Sequence, residues 1–107
     1  MEIYNKLVRD KIPEIINSKN SKAVIKKLDD NEYIKELNEK LQEEVKEYLE
    51  DNNAEELADI VEVIYAILDF KNIDKKDFEE IRKEKVNKRG AFKERIFLEK
   101  VIEKENW

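Results

Sequence analysis

Residues 34–70 read IKELNEKLQEEVKEYLEDNNAEELADIVEVIYAILDF, and this stretch decides the fold. In its first half Ile34, Leu37, Leu41, Val45, Tyr48 and Leu49 recur at helical spacing. They predict a long helix, entered through a cap at Asp30 or Asn31 and running to about Glu50. Asp51-Asn52-Asn53 then reads as a turn. A second helix is predicted from Ala54, capped by Asn53, to about Phe70. Its apolar residues Leu57, Ile60, Val61, Val63, Ile64, Ile67 and Leu68 span an arc wide enough for burial on more than one side, which makes it the central helix.

Towards the N-terminus, Tyr4 to Ile16 mixes apolar residues with Lys6, Arg9, Asp10 and Lys11. Pro13 restricts Ile12 to an extended or turn geometry and offers the start of a short helix. Ala23 to Leu28 reads either as a short strand or as an extended arm. In the other direction, Asn72 to Asp74 is a linker, and a third helix carries Phe78, Ile81 and Val86 until Gly90, the lone glycine, stops it. Phe92 to Trp107 is apolar at Ile96, Phe97, Leu98, Val101 and Ile102 and fits helix or strand equally. Trp107 itself is read as a packing or frayed residue rather than a base-stacking platform.

With one glycine and one proline in 107 residues, the composition favours long helices over a turn-rich β fold. Charged residues make up 46%, a level at which disorder competes, but both signs are interspersed and the apolar residues keep a helical period. The expectation is a single all-α domain over residues 1–107, a helical bundle with a short extended segment near the N-terminus.

The chain has no cysteine and no histidine. Disulfides, thiolate zinc sites, thiol nucleophiles and serine-histidine triads are excluded, and any metal must be held by oxygen. No apolar run approaches a membrane span, and Met1 to Asp10 has no apolar leader core, so the expected address is cytoplasmic. A net charge of −5 argues against nucleic acid as a partner. That charge is unevenly placed. From Glu43 to Glu62 nine acids face Lys46 alone, a local −8, which leaves +3 on the rest of the chain. Between Arg82 and Lys104 nine bases face four acids.

Two acidic spacings stand out, Glu43-Glu44-x-x-Glu47 on the first long helix and Glu56-x-x-Asp59 on the second. Residues three apart share a helix face, so Glu44 with Glu47 and Glu56 with Asp59 each form a pair. Glu56 projects between the directions of Val63 and Ile67, inside the apolar arc, and Asp59 lies at its margin. Glu43, Glu50, Glu55 and Glu62 point toward polar directions and read as solvated. A buried carboxylate needs compensation, from a cation or from a Lys or Arg of the third helix. Antiparallel pairing across the turn would bring Glu44 and Glu47 opposite Glu56 and Asp59. Such an oxygen-only cluster suits Mg²⁺ or Mn²⁺, hard ions that keep waters and bind substrate phosphates.

These residues resemble the all-α nucleoside triphosphate pyrophosphohydrolases of the MazG and phosphoribosyl-ATP pyrophosphohydrolase type, whose signature is E-E-x-x-E followed by E-x-x-D. The likeness runs from Tyr4-Asn5-Lys6-Leu7-Val8-Arg9-Asp10-Lys11-Ile12-Pro13 through Lys40-Leu41 and Glu55 to Val63, and on to Lys88-Arg89-Gly90-Ala91-Phe92. A second glycine would be expected where Ala91 stands. The resemblance implies hydrolysis of a nucleoside triphosphate to the monophosphate and pyrophosphate. By it Glu44, Glu47, Glu56 and Asp59 hold Mg²⁺, Mn²⁺ being a possible substitute, and Glu43, Glu44 and Glu47 belong to the catalytic motif. It also implies a homo-oligomer, a dimer or tetramer. The apolar arc of the second helix independently leaves surface for such an assembly.

Lys85, Arg89, Lys93 and Arg95 surround the glycine and offer phosphate contacts, the alternative being a solvated basic face. Lys6, Arg9 and Lys11 are weaker candidates for the same contacts, the alternative for Arg9 being a pair with Asp10 or another acid. Three functions are in play: removal of noncanonical or surplus nucleotides, hydrolysis of phosphoribosyl-ATP, and a non-enzymatic helical interaction module.

Overall fold

The computed structural model describes residues 1–104, and its regular structure is entirely helical: α1 (Ile12–Asn17), α2 (Asp30–Asp51), α3 (Ala54–Phe70) and α4 (Lys75–Arg89). Met1–Asp74 forms one compact unit, and the chain from Lys75 onward forms a second.

Helix α2 opens on a capping box one residue ahead of the expected caps. Asp29 Oδ1 accepts the Glu32 amide at 2.8 Å, and the Asp29 amide donates to Glu32 Oε1 at 3.4 Å. Only with the cap at Asp29 does a glutamate fall at the third helical position, where it can reach back, and this reciprocity displaces Asp30 and Asn31. At the other end Asn52 takes the left-handed conformation (φ 55°, ψ 34°) and donates its amide to the Tyr48 carbonyl at 2.7 Å. Asparagine tolerates that backbone better than most residues. Asn53 then caps α3, its Oδ1 accepting the Glu56 amide at 3.0 Å, as the sequence predicts.

This two-residue link folds α2 and α3 into an antiparallel hairpin. Leu37, Val63 and Leu68 are its buried apolar residues, and Tyr33 meets Phe70 edge-on at 5.6 Å and 71°. Cover is incomplete elsewhere. Val45 and Leu49 on α2 and Leu57 and Val61 on α3 are exposed, Leu49 to 67%. The wide apolar arc of α3 is therefore only partly used within the chain.

Ahead of the hairpin, α1 includes Ile12, one residue before the expected start at Pro13. Proline sits in the first turn, where its missing N–H is no loss, and the Ile12 amide closes a turn onto the Arg9 carbonyl at 3.1 Å. Ala23 to Leu28 has no regular secondary structure, so it is an arm and not a strand; the Ala23 amide is held by Asn17 Oδ1 at 2.8 Å.

In the second unit Gly90 ends α4 at φ 85°, donating its amide to Val86 at 2.8 Å. Ala91 is not among the positive-φ residues, so the turn is met by Gly90 alone. Phe92 to Lys104 is neither helix nor strand, against both expectations; it holds one turn closed by the Arg95 amide on the Phe92 carbonyl at 3.3 Å. Its apolar residues are exposed, and without a surface to pack on their spacing specifies no element. Trp107 lies outside the described residues.

Candidate metal centre

The hairpin brings the carboxylates together. One oxygen each from Glu44, Glu56 and Asp59 lie within 4.8 Å of one another, and so do oxygens of Glu43, Glu44 and Glu47. Glu44 belongs to both trios and is the pivot of the site. It is also the one buried charged residue among those described, at 7% exposure. Glu56, Asp59, Glu43 and Glu47 are half-buried around it, while Glu50, Glu55 and Glu62 are exposed as expected.

Three cations from the same unit answer part of this charge. Lys40 Nζ stands 3.3 Å from Glu43 Oε2 and 3.5 Å from Glu44 Oε1. Lys6 Nζ lies 3.4 Å from Glu43 Oε1, and Arg9 Nη2 donates to Asp59 Oδ1 at 2.7 Å. Glu43 is thus paired on both oxygens instead of being simply solvated. Arg9 finds its acid on α3 and not in the adjacent Asp10.

What remains uncompensated is specific. Glu44 Oε2 and Glu56 Oε2 are closed off from solvent and have no hydrogen-bond partner. A buried carboxylate oxygen without a donor is destabilising unless it is protonated or meets a cation. The proton affinities follow. Burial, then the charge of Glu47, raises the Glu44 carboxyl above its ordinary value against the pull of Lys40. Burial, then Glu47, Asp51, Asp59 and Glu44, raises Glu56. At Glu43 partial burial acts upward but Lys40 and Lys6 outweigh it, and the carboxyl is lowered.

Two orphaned oxygens inside an all-oxygen donor set fit a hard divalent cation, and these acidic clusters could hold one. The residues suited to it are Glu44, Glu56 and Asp59, with Glu47 adjoining Glu44. Sequence reading singled out these four. It assigned no role to Lys40, and it read Lys6 only as a weak phosphate contact. Lys40 carried a legible signal, since it stands three and four residues before Glu43 and Glu44 on one helix face.

The basic residues of the second unit divide. Lys85 and Arg89 line one open groove of about 240 Å³ along α4, together with Ile81, Glu84 and Lys88. Lys88 is paired with Glu84 at 2.9 Å. Lys93 and Arg95 lie beyond the helix, exposed, in the irregular segment.

Comparison with protein-family models, curated proteins and solved structures finds no match to this chain. Among the described residues no helix is long and apolar enough to cross a membrane.

Proposed function

We propose that this protein is a Mg²⁺-dependent nucleoside triphosphate pyrophosphohydrolase that clears noncanonical or surplus nucleotides, with Mn²⁺ as a possible substitute ion. The observation that carries this reading is Glu44, buried, with one oxygen on Lys40, the other without a donor, and its carboxylate converging with those of Glu56 and Asp59. Its sequence setting, E-E-x-x-E followed by E-x-x-D, resembles the all-α pyrophosphohydrolases.

On this reading Glu44, Glu47, Glu56 and Asp59 bind the cation, which supplies charge screening for the phosphate chain and acidifies a water. The residues of the chain do the rest. The hairpin fixes the carboxylates from two rigid helices, so their separation does not depend on a loop. A carboxylate of the cluster would take the proton of the attacking water. Glu43 is a poorer acceptor than Glu44 or Glu56, because Lys40 and Lys6 hold its proton affinity down while burial raises theirs. With no histidine or cysteine in the chain, direct attack by water replaces a phospho-enzyme on either residue. A second copy of the chain covers the apolar residues Val45, Leu49, Leu57 and Val61.

The test is a panel of purine, pyrimidine and phosphoribosyl triphosphates assayed for pyrophosphate with and without Mg²⁺. Metal-dependent pyrophosphate release supports the reading, and no turnover on any member overturns it.

A further inference from the structure

Lys6 and Arg9 lie three residues apart on the segment that leads into α1, and each reaches a different helix of the hairpin. Lys6 meets Glu43 on α2, and Arg9 meets Asp59 on α3. The Arg9 contact closes 50 residues of chain at 2.7 Å. Yet it is thinly protected: the side chains are 56% and 38% exposed, and among the described residues the guanidinium has no acceptor other than Asp59 Oδ1. An exposed pair of this kind contributes little and exchanges readily. Asp59 is at the same time one of the three carboxylates whose oxygens converge. Arg9 therefore occupies one of the two oxygens of a carboxylate that a divalent cation would need.

We propose that Arg9 is a displaceable counter-cation and phosphate-binding residue, held on Asp59 while the centre lacks metal and turned to the polyphosphate chain of the substrate once a cation takes that carboxylate. This deepens the pyrophosphohydrolase reading and rests on it. The chemistry favours the exchange. A divalent ion outcompetes a single exposed guanidinium for a carboxylate that it shares with Glu44 and Glu56. The freed guanidinium is planar, permanently charged and forked, which matches two oxygens of a phosphate better than the single Asp59 oxygen it leaves. The Arg9 carbonyl accepts the Ile12 amide at 3.1 Å, so its backbone is part of the turn that opens α1. Lys6 makes the arm's other contact with the hairpin, at Glu43 on α2.

The roles of counter-cation and phosphate ligand predict opposite effects of one substitution. Calorimetric titration of Arg9→Gln with Mn²⁺ alone should show tighter metal binding than the native protein, by about two- to fivefold, because a weak competitor is gone. Titration with the magnesium complex of inorganic triphosphate should show binding weakened by about tenfold, the loss of one bidentate contact. Arg9→Lys should lie between the two for both ligands. A residue that merely tethers the arm would weaken both ligands or neither, and either result overturns the proposal. Native protein that takes up no Mn²⁺ removes the metal centre itself. Native protein that binds Mn²⁺, with an Arg9→Gln variant indistinguishable from it, removes only the role of Arg9.

Discussion

Lys40 Nζ lies 3.5 Å from Oε1 of Glu44, while Oε2 of the same carboxylate is buried with no partner at all. One residue is thus half compensated, in a carboxylate that converges with those of Glu56 and Asp59. The behaviour of the protein toward metal, acid and substitution follows from that asymmetry.

Added Mg²⁺ or Mn²⁺ should raise the melting temperature, since a ligand that binds only the folded state stabilises it by mass action. Glu44→Gln should abolish most of that rise. In the absence of metal the same variant should melt above the native protein, by about 4 °C for each kcal/mol of relieved burial and repulsion. Scanning calorimetry with and without metal checks both. An undiminished metal response in Glu44→Gln, or in Asp59→Asn, would remove that residue from the centre.

Acidification should act like metal. Glu44 and Glu56 have folded-state values raised above the ordinary 4.5, so the folded chain holds protons more tightly than the unfolded one. Their contribution is fully favourable below the ordinary value and is lost as pH rises through the raised ones. Glu43 has the opposite sign: its contribution is present above 4.5 and is lost as pH falls through its lowered value. Between neutrality and about pH 5 only the first effect operates, so metal-free protein should become more stable on mild acidification. Glu44→Gln should flatten that slope. Urea titrations at several pH values decide it, and a stability that falls over this interval would contradict the assignment.

Lys40→Met should destabilise the metal-free protein by about 1–3 kcal/mol, because it leaves Glu44 Oε1 as unpartnered as Oε2. Saturating Mg²⁺ should recover much of the loss. Denaturant midpoints measured with and without the ion separate this from a general packing defect, which metal would not repair.

Turnover should yield monophosphate and pyrophosphate in equal amounts, with no diphosphate intermediate. Glu56→Gln should depress the rate far more than Glu50→Gln, since Glu56 Oε2 is orphaned inside the cluster and Glu50 is exposed. In ¹⁸O-water the label should enter the monophosphate. Label in orthophosphate released from the γ position would place the attack at the wrong phosphorus.

Sedimentation at micromolar concentration should report a dimer or larger, and Leu57→Lys, on the exposed apolar side of α3, should shift it toward monomer. An active native monomer would show that one chain completes the site.

Much of this was legible in the sequence because helices are local. The spacing of Ile34 to Leu49 and of Leu57 to Leu68 located α2 and α3, and Asn53 announced its own cap. The i,i+3 pairs and the turn between them were enough to bring Glu44, Glu56 and Asp59 to one place. The cap at Asp29 was missed because three polar residues compete there and only the reach of Glu32 decides among them. The Arg9–Asp59 contact had no sequence signal, since nothing periodic links an exposed arm to a helix so far along the chain. Ile96 to Ile102 misled for a related reason: apolar spacing specifies an element only when there is a surface to receive it.

The two-residue link at Asn52 and Asn53 also has a bearing on the order in which this chain acquires structure. Every contact between the convergent acids is made within the span from Glu43 to Asp59, so the hairpin closes a short loop and belongs to the low contact-order, fast-forming part of the fold. The same closure gathers like charges early, before Arg9 or Lys6 has arrived from the distant arm. Repulsion among the acids therefore falls on the folding barrier as well as on the finished state. A divalent ion present in the refolding buffer should steepen the approach to the native hairpin and raise the folding rate, and not solely retard unfolding.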